Sequence, residues 1–594
     1  MLDQYHYLEQ YKTVEALERY LGSPLDPLNV LSYKRAVELD ECDEYPEEAC
    51  ALLNMWGFYD YYIPVEHGGK LASFEQLSGL IRVITRRDFT VAVAHVKTYL
   101  GAVAVWLAGN VKQRNRLARL IKRGEQVSLA LTERAHGSDI LSSETIVGGE
   151  AGGYVLTGEK WLINNATRSA ALTVFAKIGE AAGPRGFSTF LVEKSRLDPS
   201  SYAHHPKIKT HGIRGADISG INFKQCRLGP DALLGAPGSA LEVMLRGFQI
   251  TRVIVTALSL GAADTALRTT MRFALSRRLN GGLVFDIPLT LRTMVDAYVR
   301  LLICECTNIA AMRGLHVSTE QMSVWSAVTK YFVPKSVEKI IAALAVVLGA
   351  RHYLREGHDW GIFQKMLRDQ AIAGLFDGNT LVNLNVIAQQ LRSLAEHGSR
   401  RDADAMEKAD QRLEALFSLG AALPAFETER QELFNRGCDD ILQGMKSVMV
   451  RLESLGGSTK LDEGVLENIK RLAGELDQEI EQLSATILRA PTYGNTFNQS
   501  PDSFRQAERH CTLHAAAACL HTWLHNLDLL GGSFATGTWL VLALETCLCD
   551  LQPGRESNLP FTYTESVSQE LVRQFREDQL FSILPLQLAS VEPS

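Results

Sequence analysis

No two cysteines in this 594-residue chain stand at the Cys-x-x-Cys spacing of a zinc ribbon or a redox motif. The ten cysteines are spread thinly, and only Cys304/Cys306 and Cys547/Cys549 lie close together. Neither pair has a histidine cluster in register, so all ten read as reduced buried thiols, with no metal ligand and no disulfide framework among them. A surplus of positive charge is also missing: 61 Lys and Arg face 68 Asp and Glu, a net charge of −7. That balance excludes a surface built to neutralise nucleic-acid phosphates. Met1–Tyr20 is polar and mixed in charge and lacks the apolar stretch of a secretory signal. The most apolar runs, Val253–Ala263 and Ile340–Ala350, stop at 11 residues, short of the ~20 that a membrane-spanning helix needs. The closing Val591-Glu-Pro-Ser594 is not a Ser-Lys-Leu peroxisomal address. These absences predict a cytoplasmic protein with no nucleic-acid partner and no stable membrane insertion.

What is present changes texture along the chain. Residues 1–128 read as a helical domain, with apolar side chains at three- and four-residue intervals over Gly79–Val96 and Gly101–Ile121. From 129 to 235, short β-rich runs such as Leu172-Thr-Val-Phe-Ala-Lys177 and Phe187-Ser-Thr-Phe-Leu-Val-Glu193 alternate with glycines, predicting a small β-barrel domain. Residues 236–395 return to long periodic helices, expected over Ala240–Gly261, Ala263–Arg278, Ile287–Arg313, Gln321–Leu348 and Asp377–Ala395. Residues 396–594 form an additional helical domain after a charged linker at Gly398–Asp404. This domain is acidic, with 17 Lys and Arg against 30 Asp and Glu. Its helices are expected at Ala405–Ser418, Ala425–Leu455, Asp462–Leu488, Ser503–Leu530 and Thr536–Cys549. The fold class is α+β: helices, a small β domain, a helical bundle, then an extra helical domain.

Three segments carry chemistry: Leu129-Ala-Leu-Thr-Glu-Arg-Ala-His-Gly-Ser-Asp139, Gly158-Glu-Lys-Trp-Leu-Ile-Asn-Asn165 and Arg368-Asp-Gln-Ala-Ile-Ala-Gly-Leu-Phe-Asp-Gly-Asn-Thr380. In that order and at those spacings they resemble the acyl-CoA dehydrogenase family over about 340 residues. The tail of about 200 residues resembles the helical extension of acyl-CoA oxidases. The resemblance implies a non-covalent FAD and a homodimer. It places Leu131 and Thr132 at the flavin's polar edge, Gly137 at a close backbone approach, and Ser138 near both the pyrophosphate and the substrate thioester. Trp161 matches the tryptophan that packs on the flavin, and Ile163 stands where the family has a threonine hydroxyl. Arg277, with Arg278 as the alternative, matches the arginine that reaches the neighbouring subunit's FAD diphosphate; Gly349 belongs to the same contact. An arginine suits that work because its rigid fork binds phosphate bidentately. Arg252 matches the helix beside the acyl chain.

Desaturating a thioester requires a base at the Cα proton, a flavin beside Cβ, and donors on the carbonyl where charge develops. By resemblance the base is Asp377, where the family usually has glutamate, flanked by Gly378 on the substrate side and Asn379 near the flavin. The relatives' other base position is occupied here by Thr251, which cannot serve. Asp377 has a second reading, as N-cap of the helix beginning at 378–380, a role aspartate fills well. Three functions stay open: FAD-dependent α,β-dehydrogenation of an acyl thioester on coenzyme A or an acyl carrier protein, passing electrons to an electron-transferring flavoprotein; an acyl-CoA oxidase using oxygen; or a flavin-binding scaffold without catalysis.

Overall fold

A computed structural model describes residues 9–179, 183–398, 403–455, 461–490 and 500–590. Two compact units divide the chain. One comprises residues 27–72 and 87–251; the other comprises residues 1–26, 73–86 and 252–594. The N-terminal helices are thus shared between them.

The first unit is built on one eight-stranded sheet: β1 Val127–Ala130, β2 Ile146–Glu150, β3 Gly153–Asn164, β4 Ala171–Ile178, β5 Phe187–Glu193, β6 Tyr202–His205, β7 Ile218–Leu228 and β8 Leu233–Leu234. The ladders run β6-β7-β3-β2-β4-β5-β8, with β1 added in parallel beside β4. Among the described residues no ladder joins β6 to β8, so the strands expected to close as a barrel form an open path. Val147, Leu156, Val174, Phe190, Val192, Ile221 and Phe223 supply its core. The register of β3 against β7 slips twice, between Leu156 and Gly158 and between Trp161 and Ile163. At the second slip Leu162 takes a positive φ of 57°. Helices Phe89–Ala108 and Val111–Lys122 pack in the same unit. The first starts at Asp88, whose carboxylate accepts the Thr90 N–H, and the second at an Asn110/Gln113 capping box.

The second unit is helical. Where two helices were expected over 240–278, a single one runs Ala240–Ser276, its residues from 252 onward in this unit and the earlier ones in the first, followed by Pro288–Val317 and Met322–Leu348. The helix expected over Asp377–Ala395 is broken into Thr380–Ala388 and Leu391–Gly398. Among the described residues of the C-terminal region the helices are Ala403–Phe417, Asp440–Gln443, Met445–Ser454, Glu463–Arg489, Pro501–Leu524, Gly532–Ala535, Thr538–Leu551 and Phe561–Arg576. The expected helix Ala425–Leu455 is therefore mostly irregular before Asp440, and Phe561–Arg576 went unforeseen. Residues 399–402 of the expected linker, like most of residues 1–10 and all of 591–594, lie outside the described residues. Among the described residues two helices, Phe89–Ala108 and Ala240–Ser276, are long and apolar enough to cross a membrane, beyond what the 11-residue runs indicated. Their most apolar windows are 83% and 100% buried within the chain, as core helices are.

The segment Gln579–Leu588 re-enters the bundle, burying Leu580, Phe581, Ile583, Leu584, Leu586 and Leu588. Its backbone meets charged side chains of the helices. Arg82 donates to the Phe581 carbonyl at 2.7 Å, the Ile583 N–H donates to Glu305 at 2.8 Å, and the Phe581 N–H donates to Asp264 at 3.2 Å. Arg268 donates to the Gln579 carbonyl and lies 4.3 Å over the Phe581 ring. Every one of these charges is buried, and burial is tolerable because each is partnered.

Candidate functional site

The sequence-predicted residues fall in both units, and each group is described where it stands. In the first unit the strand end after β1 is tied to β3. The Trp161 N–H donates to the Thr132 carbonyl at 2.9 Å, and the Thr132 hydroxyl donates back to the Trp161 carbonyl at 2.7 Å. Trp161 is half-buried and is not part of the β core; the Arg134 guanidinium stacks 4.9 Å from its ring and also pairs with Glu159. Leu131 is buried, whereas Gly137 and Ser138 lie on an exposed loop, and a Cβ on Gly137 would meet nothing within 4 Å. Ile163 brings no hydroxyl to its position. The bulge at Leu162 turns its side chain into the core, where it is 2% exposed, so any flavin contact at this position falls to the backbone.

Sequence reasoning missed what anchors this loop. The Glu133 carboxylate accepts from Lys160 Nζ (2.8 Å), the Glu144 N–H (2.7 Å), the Thr145 N–H (3.0 Å) and hydroxyl (2.7 Å), and the Ser143 hydroxyl. Lys160, fully buried, also donates to the Leu131 carbonyl and to Ser143. Burial alone would raise the Glu133 pKa, but the Lys160 ammonium and the Glu144 N–H hold it down at about 2. Burial lowers Lys160 to about 8, against the opposing pull of Glu133. Both residues sat inside the quoted motifs; the available signal was a charged pair flanking Thr132 and Trp161.

In the second unit Asp377 lies on the turn before the helix Thr380–Ala388, buried, with a positive φ of 55°. The capping role belongs to Asn379, whose Oδ1 accepts the Val382 N–H at 3.0 Å. Asn383 braces the turn from below, its side-chain amide donating to the carbonyls of Gly378 (2.8 Å) and Asn379 (2.9 Å). Arg252 joins the same turn: its Nε donates to the Asp377 carbonyl at 3.1 Å. Burial lowers the Arg252 pKa to about 10, opposed by the nearby Asp377 charge. Gly378 has a φ of 91°, and a Cβ there would stand 3.0 Å from an Arg252 Nη. The turn is thus fixed by three side chains and needs glycine at 378.

Arg277 and Gly349 lie elsewhere on this unit. Arg277 is exposed just after the helix Ala240–Ser276, before a two-stranded hairpin whose turn uses Asn280 and Gly281 at positive φ. Gly349 is exposed at the C-cap of Met322–Leu348, also at positive φ (57°).

Residues 128–226 match the model of the acyl-CoA dehydrogenase middle domain, and residues 239–392 match that of the acyl-CoA dehydrogenase C-terminal domain. The chain thus carries the middle and C-terminal domains of the acyl-CoA dehydrogenase family. Family members most similar in sequence include a probable acyl-CoA dehydrogenase FadE25 of Mycobacterium tuberculosis, 26% identical over 60% of this chain and 90% of that protein. The human mitochondrial short-chain specific acyl-CoA dehydrogenase is 24% identical over 60% of this chain and 85% of its own length. Both alignments leave about two fifths of this acyl-CoA dehydrogenase homologue uncovered. A solved acyl-CoA dehydrogenase complexed with FAD from Bacillus anthracis covers 96% of this chain and 95% of its own, at 16% identity and a TM-score of 0.69. The butyryl-CoA dehydrogenase of Megasphaera elsdenii covers only 64% of this chain (97% of its own), at 19% identity and a TM-score of 0.59. The family fold therefore occurs both with and without the extra helical region.

Proposed function

We propose that this flavoprotein oxidoreductase of the CH–CH class desaturates an acyl thioester, with Asp377 as the base that removes the Cα proton. Bound FAD supplies the acceptor for the Cβ hydride. The carrying observation is the Asp377 turn. Asn379 caps the helix, Asn383 and Arg252 hold the backbone, and Asp377 occupies a strained, buried position that capping does not explain. Backbone strain held in place by its surroundings is a mark of functional positions. Aspartate reaches about 1.5 Å less than glutamate, and general-base catalysis is steeply sensitive to placement; the fixed turn supplies that placement.

The first unit offers a set that fits FAD. Trp161 presents an aromatic ring outside the core, Thr132 and the backbone around Ile163 give polar contacts to a flavin edge, and the open Gly137–Ser138 loop leaves room for a diphosphate. Leu131 is held at the strand end by Lys160. Arg277 and Gly349, exposed on the second unit, are assigned to the FAD of a partner copy, making the protein a homodimer. Arg252 and Gly378 line the acyl side of the base. The full-length likeness to a structure described as an acyl-CoA dehydrogenase removes the extra domain as an argument for an oxidase, so we favour transfer to an electron-transferring flavoprotein. The thioester is carried by coenzyme A or an acyl carrier protein. Anaerobic titration of the purified protein with acyl thioesters of both kinds tests the reading: flavin bleaching by one of them supports it, and a flavin that no thioester reduces removes it.

A further inference from the structure

The extra helical region holds a cluster that the desaturation chemistry does not use. His510 and His514 stand four residues apart on the helix Pro501–Leu524, so both imidazoles share one face. Asp439, which precedes the short helix Asp440–Gln443, brings its carboxylate to them. Asp439 Oδ2 lies 3.3 Å from His510 Nε2 and 3.6 Å from His514 Nδ1, and all three ligand atoms fall within 4.8 Å of one another. The three residues are 1–4% exposed. Yet Asp439 Oδ2, His510 Nε2 and His514 Nδ1 are buried with no well-formed hydrogen bond, their contacts with one another being all they have. Three converging polar atoms left unsatisfied in a protein interior are costly, and a native structure offers a reason for them.

We propose that Asp439, His510 and His514 bind a divalent first-row transition-metal ion. Ligands ~2.0–2.1 Å from a tetrahedral ion stand roughly 3.4 Å apart, matching the two separations involving Asp439. Two imidazoles and a carboxylate are the ligands that zinc or ferrous iron accepts. The other carboxylate oxygen is already oriented: Asp439 Oδ1 accepts the Trp325 indole N–H at 2.9 Å and the Leu442 N–H at 3.5 Å, leaving Oδ2 for the ion. Such outer partners fix a ligand's direction and tune the site. Asp439 and His510 also line a cavity of about 420 Å³, together with Leu391, Leu394, Leu442 and Glu481. With two of the three ligands, Asp439 and His510, on the cavity wall, a fourth position is open to water or a small anion, the layout of a site that can exchange its ligand rather than a closed structural one.

The test uses the full-length, flavin-loaded protein without a histidine tag, stripped with a chelator and re-equilibrated with zinc or, anaerobically, with ferrous iron. Elemental analysis after gel filtration is expected to find about one ion per chain, which of the two metals is retained deciding the identity. Cobalt loading is expected to give the visible absorption of a low-symmetry, nitrogen- and oxygen-ligated ion. Asp439→Asn keeps the acceptor for Trp325 and Leu442 but loses the charged ligand, and is expected to lower affinity by at least tenfold with flavin content unchanged. His510→Gln gives the same loss by an independent route should the first variant fold poorly. A parent protein that retains neither metal and shows no cobalt absorption overturns the proposal, as do folded variants that bind the ion as tightly as the parent.

Discussion

Glu133 and Lys160 meet 2.8 Å apart inside the first unit, and the lysine is fully buried. The pair clamps the turn after Thr132 to the strand that carries Trp161. Removing one partner of a buried pair leaves the other charge uncompensated, typically at 3–5 kcal/mol. Four further donors remain on Glu133, so Lys160→Met is expected to destabilise the protein by about 3 kcal/mol, at the lower end of that range. Urea unfolding of the variant checks the size, and a fall in FAD retained through gel filtration checks the link to the flavin loop.

The same pair predicts an acid response. The folded pKa of Glu133, about 2, lies below its unfolded value, so its contribution is fully present above the unfolded carboxylate pKa of ~4.3 and is lost as pH falls toward 2. Unfolding midpoints measured from pH 6 down to pH 3 are expected to drop more steeply in the parent than in Glu133→Gln. Parallel curves would remove Glu133 as the source.

Asp377→Asn preserves size and leaves the helix cap, Asn379, untouched. Flavin content and stability are therefore expected to hold while reduction by substrate slows ~10²- to 10⁴-fold. Asn379→Ala is the complementary variant: loss of the cap costs about 1 kcal/mol of stability. Anaerobic stopped-flow and thermal unfolding on the two variants separate base from cap, and an Asp377→Asn protein reduced at the parent rate sinks the assignment.

Gly378→Ala asks whether the turn itself matters. The added methyl would sit at positive φ and 3.0 Å from the Arg252 guanidinium, a strain of about 1–3 kcal/mol. The turn is expected to shift, slowing flavin reduction about 10²-fold, with FAD still bound. Reduction kinetics unchanged from the parent would show that the base needs no such placement.

Val346 and Tyr353 are more than 80% exposed and Leu289 is 75% exposed, on the same unit as Arg277 and Gly349. Apolar side chains in such exposure are candidates for self-association. Sedimentation is expected to show a dimer, with Val346→Asp/Tyr353→Asp weakening it and lowering FAD content. A flavin-replete monomeric parent would end the dimer reading.

The alternation of helix, strand and helix was legible because period and glycine punctuation report local structure directly. Asp377 was legible as a motif position, but its competing role as a cap was not resolvable, since Asp377 and Asn379 are both good capping residues and only geometry chooses between them. Ile163 was matched by resemblance to a threonine of the family, but the burial of its side chain depends on the bulge at Leu162, which the sequence does not announce, and a one-residue slip exchanges the faces of a strand. The Glu133–Lys160 pair and the meeting of Asp439 with His510 and His514 are tertiary events between separate elements. Their members were visible one by one; their adjacency was not.

The return of Gln579–Leu588 into the helical bundle has a consequence for how the protein is made. Arg82 finds its carbonyl partner at Phe581, 499 residues further along the chain. Glu305 and Asp264 wait for backbone N–H groups from the same late segment. Domains usually fold in order as they leave the ribosome, but until Phe581 has emerged this bundle would hold interior charges satisfied only by one another, Arg82 with Glu305 and Asp264 with Arg86 and Arg268. Its biogenesis is therefore expected to be largely post-translational and dependent on holding factors. A chain stopped after Asp578 is expected to accumulate as insoluble protein.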